Sequence, residues 1–409
     1  MPVFACAPGV LDLKAGYSME AGVYLQRGSG PYRRASLALF CAGFATFALL
    51  YCVQPLLPTL AQHFSLTAAT SALALSLTTL SLAFCLLLSG ALSESLGRKP
   101  VMVAALGLAC ALGIGCALVE QWEWLLVLRC LLGITLSGLP ALAMAYVGEE
   151  FDQASLPAAM GLYIGGTALG GMLGRLLSGL LGDLLGWQQA LGIMAALGVL
   201  ALGMFIWLLP PSRHFRAQPL ALGGLLHNFA EHLGNAALRR LFLLAFLLMG
   251  GFVALFNYIG FRLAAPPFGL SSAVIGLLFS VYLIGIFSAG WGGRLVQRLG
   301  AERVMVSGVC IMLVGIALCA TPWLAVVVLG LGLATLGFFA THAVASGQVG
   351  QRANGARAQA SARYLCAYYL GSSLIGYAAG WVWQQLGWGW LLSLLAALFA
   401  SAGLLVRRL

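Results

Sequence analysis

Charged residues are scarce in this sequence. Asp, Glu, Lys and Arg make up only 8% of its 409 residues, whereas hydrophobic residues make up 61%. A soluble domain of this size must cover its surface with polar side chains, so a composition this apolar excludes that class of protein. Apolar runs of about 20 residues recur along the whole chain, and each is long enough to cross a bilayer. The sequence therefore predicts an all-α polytopic membrane protein.

Several functional signatures are also missing. None of the ten cysteines forms a Cys-x-x-Cys pair, so the thiols indicate neither a metal site nor a redox pair. The sequence has no Gly-x-x-x-x-Gly-Lys-Ser/Thr motif, which argues against a protein driven by ATP. We expect no enzyme, no catalytic residue, no cofactor and no metal.

The net charge of +10 comes from 21 Lys and Arg against 11 Asp and Glu. A strongly basic chain invites a nucleic-acid interpretation, but these cations lie almost entirely in alternate loops. Such an asymmetry is the positive-inside pattern of membrane proteins. We expect the loop that holds Arg98 and Lys99 to be cytoplasmic, together with both chain termini, and we expect the lipid bilayer rather than nucleic acid as the partner.

The apolar runs divide into two sets of six, separated by the only long interior loop. We predict a flexible leader over residues 1–35, a first bundle over 36–209, a central loop over 210–238 and a second bundle over 239–409. The two bundles repeat each other. Tyr163, Gly170 and Gly179 recur as Tyr364, Gly371 and Gly380 at a constant shift of 201 residues. Parallel six-helix repeats of this kind place a substrate between the halves, near the middle of the membrane.

The loop between the second and third runs reads Gly90-Ala-Leu-Ser-Glu94-Ser-Leu-Gly97-Arg98-Lys99-Pro100. It resembles the loop between helices 2 and 3 of the major facilitator superfamily, although Glu94 replaces an Asp of that pattern and Ser95 an Arg. The resemblance implies a gating loop whose Glu94 docks at the N-terminus of helix 11 in the outward-open state, with Arg98 pairing nearby. A carboxylate at that position is stabilised by the helix dipole. Alternatively, these two residues only cap helices at the membrane surface.

Two arginines lie inside predicted helices. Arg129 falls in a segment, Leu125 to Gly133, that is similar to the helix-4 pattern of the superfamily, which implies a role in proton coupling or substrate binding. Arg175 lies on helix 5 at a similar predicted depth. Buried arginines are costly in lipid and usually serve a pathway or a partner, so the two predict an anion-attracting cavity wall. The alternatives are snorkelling of Arg129 and pairing of Arg175 with Asp183.

No carboxylate lies in the middle of an apolar run. Exporters of cationic drugs commonly use one to bind the cation and to exchange it for protons, so this absence counts against a cationic substrate. His342, on helix 10, is then the intramembrane side chain whose type ordinarily titrates near neutral pH. We expect it either to relay protons or to pack as a hydrogen-bonded core residue.

Polar and aromatic side chains midway along helices 1 and 7 complete the candidate cavity: Tyr51, Gln54, Asn257 and Tyr258. Rings with one polar tip suit an amphipathic ligand, although the same residues would be ordinary as interface anchors.

The resemblance to the superfamily covers about residues 36–406, and within it the chain is similar to the YnfM-like branch, near the drug–proton antiporters and sugar-efflux permeases. It implies twelve transmembrane helices in two pseudo-symmetric bundles. It also implies proton-coupled efflux of a small organic solute across a bacterial inner membrane, by a monomer. Two alternatives remain: a transporter of an organic anion or a sugar, and a membrane sensor that transports nothing.

Overall fold

The computed structural model describes residues 24–215, 234–353 and 357–409, and this part of the chain consists of long α-helices. In chain order they are α1 (Gly30–Tyr51, continued by Leu57–His63), α2 (Ala68–Leu96), α3 (Arg98–Leu118), α4 (Trp122–Leu136, continued by Pro140–Glu150), α5 (Leu156–Leu185), α6 (Trp187–Leu208), α7 (Ala236–Ala264), α8 (Ser272–Leu278, continued by Tyr282–Leu299), α9 (Ala301–Leu318) and α10 (Leu324–Arg352). The last helical stretch, Arg357–Val406, is interrupted at Gly387, whose φ is 83°. It supplies α11 before that glycine and α12 after it.

These helices have the dimensions that a membrane requires. Within the described residues, 11 helical segments are long and apolar enough to cross a bilayer, and the last, Gln359–Val406, has 48 residues. Since a single crossing takes about 20 residues, this last segment accommodates two crossings. The predicted all-α fold of twelve membrane helices is confirmed.

Glycines with positive φ end corresponding helices in the two halves. Gly97 and Gly300, with φ of 95° and 83°, follow α2 and α8, and Gly186 and Gly387, with φ of 97° and 83°, follow α5 and α11. Only glycine adopts such backbone conformations without strain, so it stops a helix and starts a tight connection. The sequence repeat therefore places helix ends at equivalent positions in the two halves.

The repeat also governs how helices pack. A Cβ atom on Gly170 of α5 would strike the carbonyl oxygen of Phe44 in α1, and a Cβ atom on Gly371 of α11 would strike the carbonyl oxygen of Phe246 in α7. Small residues allow two backbones to approach this closely. α5 therefore packs on α1 as α11 packs on α7.

Part of the predicted leader belongs to the first bundle. α1 begins at Gly30, earlier than predicted, because the Ser29 hydroxyl accepts a hydrogen bond from the Tyr32 amide at 3.2 Å and Pro31 lies in the first turn. The Leu25 amide donates to the carbonyl of Glu150, at the end of α4, at 2.8 Å. Residues 1–23 of the predicted leader and 216–233 of the predicted central loop lie outside the described residues.

We call the end of the bundle that carries Arg98 and Lys99 the basic end, and the other the opposite end. The two halves meet near the opposite end. Gly179 of α5 lies against Gly276 of α8, and Gly380 of α11 lies against Ala69 of α2. In the repeat, α11 corresponds to α5 and α8 corresponds to α2. The two contacts are therefore related by the pseudo-symmetry of the halves.

Glycines at the basic end have different surroundings. For Gly148, near the end of α4, and Gly347 and Gly350, near the end of α10, no atom from another part of the described chain lies within 4 Å of where a Cβ would be. The hydrogen bonds that the described residues show between the two halves lie from the middle of the bundle to the opposite end. The hydrogen bonds described between the halves are therefore concentrated toward the opposite end.

Candidate functional site

Arg175 lies in α5 at the interface between the halves, with only 2% of its surface exposed. Its Nε atom donates to Oε1 of Gln54 at 2.6 Å, and its Nη1 atom donates to the carbonyl of Gly171 at 2.6 Å. Neither partner is charged. Among the described residues, Arg175 forms no ion pair, so a buried cation is held without a counter-ion.

Three aromatic rings surround the Arg175 guanidinium. Its Cζ atom lies 3.9 Å from the ring centroid of Tyr51, 4.7 Å from that of Tyr282 and 5.3 Å from that of Phe279. The negative faces of such rings attract a cation. Tyr51 belongs to the first half and the other two rings to the second, so Arg175 is enclosed by both halves.

Gln54 connects Arg175 to the second half. Its Nε2 atom donates to Oδ1 of Asn257 in α7 at 2.7 Å, and both amide side chains are buried. Because arginine only donates, its bond to Gln54 fixes which amide atom is the oxygen and therefore the direction of the whole chain of bonds. Tyr51, Gln54 and Asn257, all predicted for the cavity, are thus brought together with Arg175.

Two buried polar atoms near Asn257 lack hydrogen-bond partners among the described residues: Nδ2 of Asn257 itself and Oγ of Ser76 in α2. They lie 3.5 Å and 3.7 Å from the position of a Cβ on Gly376 in α11, so both face the same glycine. Tyr258, the remaining predicted cavity residue, donates its hydroxyl to the carbonyl of Gly376 at 2.7 Å. Unsatisfied buried donors are costly, which makes this spot a candidate for a ligand or water oxygen.

Arg129 has a different environment from Arg175. It is 1% exposed, and it donates to the carbonyls of Ala74 at 2.8 Å, Leu49 at 3.0 Å and Leu50 at 2.7 Å. The last carbonyls of α1 lack helical partners because the helix breaks before Pro55. Arg129 therefore caps α1 and ties α4 to α1 and α2. The structure does not bring its guanidinium to the partners of Arg175, nor does the side chain snorkel to the interface.

Asp183, at the end of α5, does not pair with Arg175. Its carboxylate oxygens accept hydrogen bonds from the amides of Ser272 and Ala273, each at 3.1 Å. These amides open α8, where the helix dipole favours a negative charge. A hydrogen bond between the hydroxyls of Thr59 and Ser272, at 3.2 Å, lies beside this contact. Asp183 thus connects the halves at the opposite end.

The predicted gating loop is anchored within the first half. Gly90 lies in α2 and Gly97 ends it. Arg98 forms an ion pair with Glu149 of α4 at 2.7 Å, and Lys99 donates to the carbonyl of Leu209 after α6. Glu94, in contrast, is exposed and has no hydrogen bond or ion pair with any described residue. Its predicted contact near Ser361 is not made in this state.

His342 lies in α10 within a cluster of aromatic side chains. Its Nδ1 atom is 3.0 Å from the Tyr364 hydroxyl, and its ring stacks parallel to that of Phe338 with centroids 5.7 Å apart. Phe338 stacks in turn on Phe252, and Phe252 contacts Tyr282 beside Arg175. Aromatic contacts therefore extend from His342 to the Arg175 site.

Sequence reasoning missed four residues of this site: Ser76, Phe279, Tyr282 and Ser373. The Ser373 hydroxyl donates to the carbonyl of Ser76 at 2.6 Å and so joins α11 to α2. Phe279 and Tyr282 are three residues apart on the predicted helix 8, which places both rings on one face. This spacing is a sequence signal that Phe279 and Tyr282 share a helix face, but it does not show that this face contacts Arg175.

The chain matches the Major Facilitator Superfamily model over residues 39–265. It is 44% identical to the inner membrane transport protein YnfM of Escherichia coli (strain K12) over 386 residues, which cover 94% of this chain and 93% of that protein. It is also 44% identical to the MFS-type transporter YybF of Bacillus subtilis (strain 168) over 365 residues, which cover 89% and 90% of the two chains.

Among solved structures, the nucleoside transporter NupG has a TM-score of 0.77 at 17% identity, over 91% of this chain and 99% of that one. A D-xylose-proton symporter has a TM-score of 0.71 at 15% identity, over 92% and 97%. Sequence identities this low support a shared fold and nothing more specific.

Proposed function

The chain belongs to the major facilitator superfamily and is a multi-pass secondary transporter, and from that premise we propose that it exports a small organic solute across a bacterial inner membrane. In this proposal a monomer works by alternating access and exchanges its substrate for protons. The positive-inside pattern makes the basic end cytoplasmic, with both termini on that side.

One observation carries the proposal: the hydrogen bonds and glycine contacts between the halves lie near the opposite end. They include Gln54–Asn257, Thr59–Ser272 and the contact of Asp183 with α8. With the basic end in the cytoplasm, this arrangement favours the assignment of an inward-open state. A solute that enters between the halves from the cytoplasm would reach Arg175 and its surrounding rings.

Glu94 is proposed to stabilise the other state. Arg98 and Lys99 hold the loop on the first half, while the Glu94 carboxylate stays exposed and uncommitted. When the halves close at the basic end, we expect this carboxylate to dock at the N-terminus of α11, around Ser361, as the resemblance implies. The helix dipole would stabilise it there.

His342 is the proposed proton carrier. An imidazole ordinarily changes charge near neutral pH, and this one is hydrogen-bonded to the Tyr364 hydroxyl at 3.0 Å. The aromatic contacts through Phe338 and Phe252 place it in the same packed cluster as the Arg175 site. Protonation of His342 would add a second positive charge to that cluster.

An organic anion is the second candidate substrate, and Arg175 favours it. A buried arginine without a counter-ion attracts negative charge and repels a lipophilic cation. The other alternative, a sugar, has no comparable observation in its favour.

The first test follows protons in energised inverted membrane vesicles. Addition of a transported compound should release protons from the acidified lumen, and a panel of organic anions and cations identifies the class that does so. We expect release with anions, its loss in Arg175→Gln and its retention in Arg407→Gln, which changes an exposed arginine at the end of α12.

The His342→Gln variant separates coupling from transport. It should lose substrate-driven proton release but keep exchange of labelled substrate for unlabelled substrate. Release only with lipophilic cations would contradict the anion candidate. If no compound elicited either proton release or exchange, the transport proposal itself would be wrong.

A further inference from the structure

We propose that Arg175 binds the carboxylate group of an organic anion, that this carboxylate takes the place of Gln54, and that the Gln54–Asn257 contact between the halves is thereby released. The inference rests on the proposed function. It adds the chemical class of the ligand, the atoms that bind it, and a link between ligand binding and the opening of the opposite end.

The free donor of Arg175 determines how a carboxylate would bind. The Nε and Nη2 atoms lie on one edge of a guanidinium, and a carboxylate accepts from such a pair with both of its oxygens. Nη1 is occupied by the Gly171 carbonyl, and Nε by the Gln54 amide oxygen. Nη2 has no hydrogen-bond partner among the described residues. One donor of the edge is therefore open, and the other is held only by a neutral acceptor.

A carboxylate that reaches Nη2 competes with Gln54 for Nε. A carboxylate adds to the hydrogen bond an attraction between opposite charges that the neutral Gln54 amide oxygen does not supply. The competition is sharper here because Arg175 is 2% exposed and forms no ion pair among the described residues. We therefore expect the ligand to displace the Gln54 oxygen.

Displacement of Gln54 has a consequence for the contact between the halves. The same side chain donates to Asn257 at 2.7 Å, so its departure breaks a hydrogen bond between the turn that interrupts α1 and helix α7. The other side-chain bonds between the halves among the described residues, namely Thr59–Ser272, Ser373–Ser76 and those of Asp183 with α8, do not involve Arg175. Gln54 is thus the residue through which an anion at Arg175 weakens the closed opposite end.

The side chains around the site further restrict the chemical class of the ligand. The rings of Tyr51, Tyr282 and Phe279 enclose the guanidinium and would contact a flat, apolar body attached to the carboxylate. Nδ2 of Asn257 and Oγ of Ser76 are unpartnered donors for a second acceptor group of the ligand. The expected class is an aromatic or similarly planar carboxylate.

A competing explanation is that Gln54 serves only to solvate a buried arginine. In that case Gln54→Ala and Thr59→Ala would weaken the interface in the same way, and neither residue would be needed for the effect of an anion. The two explanations therefore differ in what Gln54→Ala does to the response to an anion.

The experiment uses the full chain in nanodiscs, with spin labels carried by unnatural amino acids at Gln62 and Trp323. Both positions are exposed at the opposite end, one in each half. Benzoate is the probe, and benzamide is its neutral control of the same shape. We expect benzoate, but not benzamide, to lengthen the distance between the labels in the unmodified protein.

The variants assign this response to residues. Arg175→Gln should weaken benzoate binding by about 10- to 100-fold, because a charged hydrogen-bonded contact is lost. Arg175→Lys, which keeps the charge but not the two-donor edge, guards against misfolding and should bind with intermediate affinity. Gln54→Ala should bind benzoate at least as tightly as the unmodified protein, yet show no further change in distance. Thr59→Ala is the matched control and should retain the benzoate response.

Several results would overturn the proposal: no effect of benzoate on the unmodified protein, equal effects of benzoate and benzamide, or identical responses of Gln54→Ala and Thr59→Ala. These outcomes are distinguishable from failure of the proposed function. If benzamide or an organic cation changed the distance, alternating access would stand and only the carboxylate assignment would fall. If no compound changed the distance, both would fall.

Discussion

At the scale of single residues, two buried arginines at a similar predicted depth have different roles because their donors find different acceptors. Arg129 meets three carbonyls, two of them at the end of α1. Arg175 meets one carbonyl and one amide side chain, and it keeps a donor unused. An arginine whose three nitrogens all donate to carbonyls holds helices together, whereas one with an open nitrogen and no counter-ion is suited to bind a ligand.

Arg129→Gln should therefore destabilise the fold. The substitution shortens the side chain and leaves up to three buried carbonyls without a partner, at a cost of about 3 kcal/mol in the free energy of unfolding. Thermal unfolding of the purified protein in detergent is the measurement. Arg407→Gln, at an exposed position, should leave the midpoint nearly unchanged.

A specific role for Arg129 in coupling would give a different result. The variant would then unfold at the temperature of the unmodified protein, but it would fail to release protons in vesicles. That outcome would contradict the assignment of Arg129 as a helix cap.

The difference between the arginines was only partly visible in the sequence. Pro55 cannot donate an amide bond, so the sequence alone indicates that α1 is interrupted near this residue. Which side chain would reach the carbonyls before this break depends on how α4 packs against α1, and this is a property of the assembled bundle. The same limit applies to Tyr282, whose position beside Arg175 requires the two halves to be brought together.

At the scale of helices, glycines repeated in sequence produce repeated contacts. The apolar runs predicted the twelve helices, and the repeated glycines mark equivalent places in the two halves where backbones approach or helices stop. The start of α1 was predicted too late, although Ser29 and Pro31 are ordinary signals of a helix start. The polar character of the surrounding residues obscured them.

Close approach at these glycines makes them sensitive to a single methyl group. Gly170→Ala and Gly371→Ala would press a Cβ atom against the carbonyls of Phe44 and Phe246, and each should cost about 1–3 kcal/mol of stability. The two losses should be similar because the contacts are related by the repeat. Thermal unfolding in detergent measures both.

Gly161→Ala is the matched control on α5. Among the described residues, no atom outside its own helix backbone lies within 4 Å of where its Cβ would be, so the substitution should be tolerated. If Gly161→Ala were as harmful as Gly170→Ala, general helix propensity or lipid contact, and not close packing, would explain the glycines.

At the scale of the whole molecule, one carboxylate at each end of the bundle is placed to act on a different state. Asp183 accepts two amide bonds from α8 and joins the halves at the opposite end. Glu94 is exposed at the basic end and has no hydrogen bond or ion pair with any described residue. A contact made in one state and absent from the other shifts the equilibrium between them by its own free energy.

The two carboxylates should therefore act in opposite directions. Asp183→Asn removes the charge that stabilises closure of the opposite end, and it should favour the outward-open state by about 1 kcal/mol, or about fivefold in population. Glu94→Ala should shift the population by a similar amount away from outward-open. Because the two residues are far apart, the double variant should return close to the unmodified distribution.

Spin-label distances across both ends report these populations, and Glu120→Gln, an exposed acid of the opposite end, is the control. Shifts of the same sign in Asp183→Asn and Glu94→Ala would refute this opposition, since both residues would then stabilise a single state.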